Sequence, residues 1–493
     1  MEVFAGDSAL ARVRAIAARH GLSIDHPDAV RAHVAALGGD AGTDDRSLAD
    51  MTDLPFVTID YDQSRDLDQA VFAARRGGGF EVVYAIADAA WFAPPDGPVF
   101  ADALARGASF YLPGLMIPML PRELCEDLAS LREGVDRRAL AFCMRVDADG
   151  RALATDVRRA RVRSRRKLTY DGVQRHYDEG ILGGQDYTET LDVVREVGVR
   201  RRALADARDV VRYDRLELVL DLTGDGRHVR IRGARRNRAQ QVNEELSLLC
   251  NVEGARLLAG KPAVFRVHPP PPAEALDGLC AAIEELIAVR RLDPAVWRWR
   301  RAEGESLADY VDRLPDGDRL SDALQRQAML IAEPARYSTR PGPHWGIGAA
   351  AYARLSAPMR EIVGIVNELA LVGPPAPATL VDRAVDAGNR ARDLQRQLDK
   401  DAHRVALDWL FERDRARPLG QRPVRTGTVM GAKATKLYVR LDEPPIEVKV
   451  YGDYRVDGRF EVVAGRRRIR VGDEVAVVVA DRRADDRWVL QLA

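Results

Sequence analysis

Between Leu54 and Ala70 the chain reads L-P-F-V-T-I-D-Y-D-Q-S-R-D-L-D-Q-A, which puts four carboxylates, Asp60, Asp62, Asp66 and Asp68, within nine residues. Ionised carboxylates this close repel and raise one another's pKa, so such a cluster either splays into water or gathers around a cation. Hard oxygen donors favour magnesium, usually with one or two carboxylates per ion and phosphate oxygens completing the shell. Spacing alone leaves a second option open: an acidic turn whose Asp side chains cap backbone amides.

The elements around this stretch must hold it in place. Val57 to Ile59 is β-branched, so Asp60 falls where a strand ends and a loop begins. Ala70–Ala74 and Phe80–Ala87 flank a Gly-rich turn and predict a hairpin, its second strand apolar enough to be central. A helix is expected over Pro98–Arg106, followed by the apolar run Tyr111 to Pro121, whose prolines exclude helix and confine any strand to an edge. Strands near Leu140–Val146, Glu217–Leu222 and Val264–His268 alternate with helices near Glu244–Leu258 and Ala273–Val289, a large mixed α/β pattern. Thr379–Arg417 is helical and charged, with an interruption expected at Gly388. Beyond it, Thr426–Met430, Lys436–Leu441, Glu447–Tyr451, Phe460–Val463 and Glu474–Val479 alternate in short strands, predicting a five-stranded OB-type β-barrel. Ahead of the Asp stretch, Ser8 and Pro27 open two short helices, a helix-turn-helix or a packed pair. The fold class is therefore multidomain α+β: an N-terminal helical segment over 1–50, a catalytic α/β domain over 51–417 and a barrel over 424–493.

Net charge is zero, so the total names no partner, but 69 of the 75 basic residues are Arg. Arg158 to Lys167, Arg230 to Arg238 and Trp297 to Arg301 concentrate them, and Arg suits phosphate and also stacks on bases. A merely solvated Arg-rich surface explains those runs equally well. No run approaches the ~18–20 apolar residues of a membrane span, and Met1-Glu2-Val3 opens no signal peptide, so a cytoplasmic protein is expected. Cys125, Cys143, Cys250 and Cys280 lack C-x-x-C spacing and are expected as buried free thiols.

The Asp stretch resembles the signature of the RNase II/RNase R (RNB) exoribonucleases. It is followed in family order by A-I-A-D (Ala85 to Asp88), Y-L-P-G-L-M-I-P-M-L-P-R-E-L (Tyr111 to Leu124), S-L-R-E-G-V-D-R-R-A-L (Ser130 to Leu140), K-L-T-Y-D (Lys167 to Asp171), N-E-E-L (Asn243 to Leu246), F-R-V-H-P-P (Phe265 to Pro270), G-P-H-W-G-I-G (Gly342 to Gly348) and S-A-P-M-R (Ser356 to Arg360). The resemblance implies processive hydrolysis of single-stranded RNA from its 3′ end to nucleoside 5′-monophosphates with magnesium. Manganese, which generally binds oxygen and nitrogen ligands more tightly, is expected to substitute in part, and a monomer with no membrane or obligatory protein partner is expected. By position it implies catalytic roles for Asp60, Asp66, Asp68 and Arg360. It also implies a base-stacking Tyr111 and a ribose-sensing pair, Tyr170 and Glu244.

Two departures accompany the likeness. Gln69 stands where the family carries a fourth aspartate, so the metal ligands are expected to be Asp60, Asp66, Asp68 and the carbonyl of Gln69, a weaker donor than a carboxylate. After Arg360 the family's Tyr, Asp and His-Arg give way to Glu361-Ile362-Val363-Gly364 and Glu368-Leu369. A catalytically weakened RNA-binding protein of the same fold is the competing expectation.

Overall fold

The computed structural model describes residues 8–39, 42–206, 208, 210–211, 217–374, 376–483 and 487–493. The opening Met1-Glu2-Val3 lies outside these, as do residues 40 and 41 of the segment leading to the Asp loop.

The Asp stretch hangs from a six-stranded sheet built of β1 (Ala49–Asp50), β2 (Phe56–Asp60), β3 (Gln69–Arg76), β4 (Gly79–Ala87), β7 (Asp136–Val146) and β8 (Ala152–Thr169). Its order is β1-β8-β2-β3-β4-β7, and β8 pairs back onto β7, so five of the strands close on themselves. The predicted hairpin is β3 and β4, paired from Gln69↔Ile86 to Arg76↔Gly79. Successive side chains of a strand point to opposite faces, and here both faces are dry. Val82, Tyr84 and Ile86 enter one apolar core, while Val83, Ala85 and Ala87 enter the other. Fully burying side chains of this size contributes roughly 1.5–3 kcal/mol each, so the register of β4 is fixed from both sides.

The proline-punctuated run forms a small hairpin, β5 (Phe110–Leu112) and β6 (Leu115–Ile117). Gly114 turns it at φ +66°, a conformation glycine adopts without Cβ strain. Phe110, Leu112 and Ile117 bury against Val13 and Ile16 of helix Ala9–Arg19 and against Leu398 of the long C-terminal helix. The second N-terminal helix, Asp28–Ala35, buries Val30 and Val34 in the core beneath helix Pro98–Arg106.

The interruption expected at Gly388 is absent, and the helix runs unbroken for 38 residues from Ala378 to Arg415. Gly388 instead allows close packing, because a Cβ there would lie 2.8 Å from the Tyr337 ring. The barrel also departs from the expected strands. Its five-stranded antiparallel sheet takes Trp488–Leu492 as the fifth strand, while Glu461–Ala464 joins Arg455–Val456 and Arg467–Arg470 in a separate three-stranded sheet. Both sheets close over one core that includes Ala406 and Phe411 of the long helix.

The Arg158–Lys167 run forms the second half of β8, and its arginines are spoken for. Arg159 meets Asp88, Arg163 meets Asp136, Arg165 meets Asp186 and Arg166 meets Glu133 at 2.6–3.3 Å, while Arg158 and Arg161 pair with Asp156 and Asp50. The cysteines are all free. Among the described residues no helix is long and apolar enough to cross a membrane.

Candidate active site

Asp60 ends β2, which runs parallel to β8 with Asp60 opposite Thr169. Thr169 caps the helix that begins at Tyr170, accepting a hydrogen bond from the Gly172 N–H. One parallel register thus places Asp60 beside Tyr170. The loop from Tyr61 to Asp68 is tied down at both ends of its path. Lys167 Nζ donates to the carbonyls of Asp62 and Ser64, both at 2.7 Å. Ser130 Oγ donates to the Arg65 carbonyl at 2.6 Å and accepts from the Leu67 N–H at 3.0 Å.

Asp68 is buried and held by two donors of the S-A-P-M-R turn. The Met359 N–H meets Oδ1 at 3.0 Å and Arg360 Nε meets Oδ2 at 2.6 Å. Burial pushes the Asp68 pKa up to about 6 against the opposing pull of Arg360. Asp66 is raised for the same reason, again opposed by Arg360. Burial alone would lower Arg360, but Asp68, Tyr111, Asp66 and Asp60 together raise it well above its ordinary value. The three aspartates and the arginine predicted from sequence therefore act on one another across roughly 300 residues of chain. Asn251 builds the turn that delivers Arg360: its Oδ1 accepts from the Leu355 and Ser356 N–H groups at 2.8 and 3.1 Å.

Tyr111 lies on β5 beside Arg360 and is 46% exposed. The Ser109 N–H donates to the Arg360 carbonyl at 2.9 Å, joining the two segments. Gln395 of the long helix accepts from the Tyr111 N–H at 3.0 Å and donates to the Tyr111 carbonyl at 2.9 Å, a side-chain imitation of a strand pair that fixes the backbone carrying the ring. Tyr111, Arg360 and Gln395 share a cavity of about 340 Å³ with Arg354 and Arg392.

Tyr170 stands edge-on to the exposed Tyr61, ring centroids 5.3 Å apart, and its hydroxyl accepts from Asn243 Nδ2 at 3.4 Å. Glu244 sits on the same helix as Asn243 but is half-exposed and paired with Arg236 at 3.0 Å, on the wall of a different cavity. Gln69 is engaged at both ends of its amide, Oε1 accepting from the Tyr84 hydroxyl and Nε2 donating to the Ser356 carbonyl.

The donor set gives a test of whether a divalent cation fits. Asp60, Asp66 and Asp68 are hard, anionic and crowded, and two of them are raised by burial, which is the electrostatic situation a cation relieves. Among the described residues no three acidic, imidazole or thiol groups already stand as an ion cage, Asp68 being engaged by Arg360. By chemistry the three carboxylates fit a divalent ion, while in this arrangement Asp68 is held by Arg360 and Gln69 braces the turn from behind.

Sequence reading missed Tyr61, Gln395, Lys167 and Ser130 as contributors. Lys167 and Ser130 lie in segments that carry the family likeness, so a signal existed for them. Gln395 had none, because its role is defined by a strand far away in the chain.

The RNB domain family model matches residues 48–372. Exoribonuclease 2 of Vibrio vulnificus is 28% identical over 471 residues, covering 90% of this chain and 68% of the relative. Ribonuclease R of Escherichia coli is 28% identical over 511 residues, covering 95% of this chain and 60% of the relative. The chain thus spans only 60–68% of the length of these two relatives. A structure of Mycoplasma genitalium RNase R in complex with ribose-methylated single-stranded RNA matches 99% of this chain and 78% of its own with a TM-score of 0.87 at 20% identity, a likeness of fold.

Proposed function

Because the chain belongs to the RNB family of hydrolytic exoribonucleases, we propose that it digests single-stranded RNA processively from the 3′ end to nucleoside 5′-monophosphates with magnesium. The observation that carries this reading is the buried Asp68 carboxylate locked between the Met359 N–H and Arg360, with Asp60 and Asp66 acting on the same guanidinium. Asp60, Asp66 and Asp68 would hold a divalent ion, which would supply Lewis acidity to the phosphate and activate water. Arg360 is placed to neutralise the charge that grows on the scissile phosphate, a fixed donor that needs no reorganisation during the reaction. Tyr111 offers a ring face to the terminal base. Tyr170 offers a hydroxyl to ribose, whose 2′-hydroxyl separates RNA from DNA, while Glu244 stands apart from it, paired with Arg236 on the other cavity's wall.

Four free thiols suit a reducing cytoplasm. The neutral Gln69, its amide engaged by Tyr84 and Ser356, is the feature that favours the second reading, a weakened RNA-binding protein. End-labelled oligoribonucleotide incubated with pure protein, with magnesium and then with excess chelator, separates the two. Mononucleotide release that stops with chelator supports the nuclease, and tight RNA binding without any release supports the binder.

A further inference from the structure

After Arg360 the chain leaves the family's order, and the first departing residue, Glu361, has no part in the chemistry above, yet the fold builds it in beside Arg360. The Ser109 N–H donates to the Arg360 carbonyl at 2.9 Å and the Ile362 N–H donates to the Gly107 carbonyl at 3.0 Å, with Ala108 and Glu361 opposite one another in an antiparallel bridge. Glu361 is thus paired through its backbone to the segment that leads into Tyr111. It also precedes helix Ile362–Val372, but its side chain makes no capping bond to that helix.

The carboxylate turns instead to two remote donors. Tyr337 Oη donates to Oε2, and Arg354 Nε donates to Oε1 at 3.2 Å. Tyr337 is itself held: it is buried, and Asn389 of the long helix accepts from its N–H at 2.9 Å and donates to its carbonyl at 3.0 Å. Arg354 is fixed through its carbonyl, which accepts from Asn367 Nδ2 at 3.3 Å. Burial alone would raise the Glu361 pKa, but Arg354, the Tyr337 hydroxyl, Arg266 and Arg392 together hold it below the ordinary carboxylate range, so Glu361 is ionised at neutral pH.

Arg354, Arg360 and Glu361 line one cavity with Tyr111. The two guanidinium groups there have separate carboxylates, Arg360 meeting Asp68 at 2.6 Å and Arg354 meeting Glu361. Removing one partner of a largely buried pair leaves an uncompensated charge, and here the freed Arg354 would share a cavity with the Asp68–Arg360 pair and compete for its carboxylate or for phosphate. A donor aimed at charge that develops in the transition state loses rate steeply when it is misplaced. We propose that Glu361 is a positioning residue for Arg360: its anchored carboxylate fixes the backbone from which the guanidinium reaches Asp68 and keeps Arg354 out of that pair. The consequence for rate rests on the ribonuclease reading, whereas the placement of Arg360 does not.

Heteronuclear NMR of the arginine Nε–H groups in the full chain tests the placement, the Arg360 signal being the one lost in Arg360→Gln. Glu361→Gln is expected to shift or broaden that signal, and Tyr337→Phe to do so more weakly. Single-turnover cleavage of an end-labelled oligoribonucleotide with magnesium, beside equilibrium RNA binding, tests the consequence. Glu361→Gln should slow cleavage about tenfold, in keeping with loss of one charge-assisted hydrogen bond, while RNA affinity stays within about twofold. Added to Arg360→Gln, it should slow cleavage by less than about twofold further, because its effect passes through Arg360. An unmoved Arg360 signal, cleavage within about twofold of wild type, the same tenfold loss in both backgrounds, or an equal loss of RNA affinity overturns the proposal. Should Glu361→Gln fail to fold by thermal melting, Tyr337→Phe, alone and added to Arg360→Gln, is read by the same criteria. If the wild type releases no nucleotide, the ribonuclease reading fails while the Arg360 signal still decides the placement.

Discussion

The long strand β8 and the C-terminal barrel are both rich in basic residues, yet they spend that charge in opposite ways. Along β8 the arginines from Arg158 to Arg166 each meet an Asp or Glu. In the barrel, Arg440, Arg468 and Arg470 are paired with acids too, but Lys433, Lys449, Arg466 and Arg467 are exposed, and Lys436 lies over the Tyr438 ring. Local density of Arg is therefore a poor guide to nucleic-acid contact. A paired guanidinium has already given its directional hydrogen bonds to the protein, and only an unpaired cation retains its full capacity to displace counterions from a phosphate.

The catalytic sheet carries the largest expected effects. Asp68→Asn is expected to bind RNA with near-normal affinity and to turn over on the order of 10³-fold more slowly, because it removes charge from the reacting centre and leaves the binding surface intact. Single-turnover rates beside equilibrium binding check this, and turnover within about tenfold of wild type would remove Asp68 from the chemistry. Replacing Tyr111 by Ala should lengthen the shortest product, since base stacking on an aromatic is worth roughly 1–3 kcal/mol. Gln395→Ala should shift the same ladder more weakly by loosening the backbone under Tyr111, and an unchanged gel for both variants would leave Tyr111 as packing.

The contrast between β8 and the barrel predicts opposite salt behaviour. Lys433→Gln, Lys449→Gln and Arg467→Gln combined should lower the slope of log affinity for single-stranded RNA against log salt by about two, since each phosphate neutralised on a single strand adds ~0.7 to it. Arg163→Gln on β8 should leave that slope alone and cost at most about 1 kcal/mol of stability, its pair with Asp136 being partly solvent-screened. A β8 variant that lowered the slope while the barrel variant did not would invert the comparison. These substitutions are preferable to deleting the barrel, whose core includes Phe411 of the long helix and whose Arg440 and Glu447 pair with Asp322 and Arg326.

The smallest effect is expected at Gln69. Its amide already bridges Tyr84 and Ser356, so Gln69→Asp should set a carboxylate against the Ser356 carbonyl and cost roughly 1–3 kcal/mol of stability. The magnesium concentration for half-maximal rate should move by less than about threefold. A larger fall, with loss of any manganese preference, would make position 69 a true ligand position.

The Asp stretch, the central hairpin, helix Pro98–Arg106 and most barrel strands were legible because period, turn residues and the alternation of polar and apolar side chains are local properties. The family likeness added Arg360, which no local pattern relates to Asp68. What the chain alone could not disclose is whatever depends on a distant partner. The β8 arginines looked free because most of their acids lie elsewhere in the sequence, Gly388 looked like a break because the Tyr337 ring that needs its bare Cα is unseen, and the final strand Trp488–Leu492 was overlooked beside a better-punctuated competitor. The chemistry followed the same division. Residue types and spacing established a carboxylate cluster suited to a cation, whereas burial of Asp68 against Arg360 and the strand-like grip of Gln395 on Tyr111 were decided by tertiary structure, because desolvation and hydrogen-bond geometry exist only once remote segments pack.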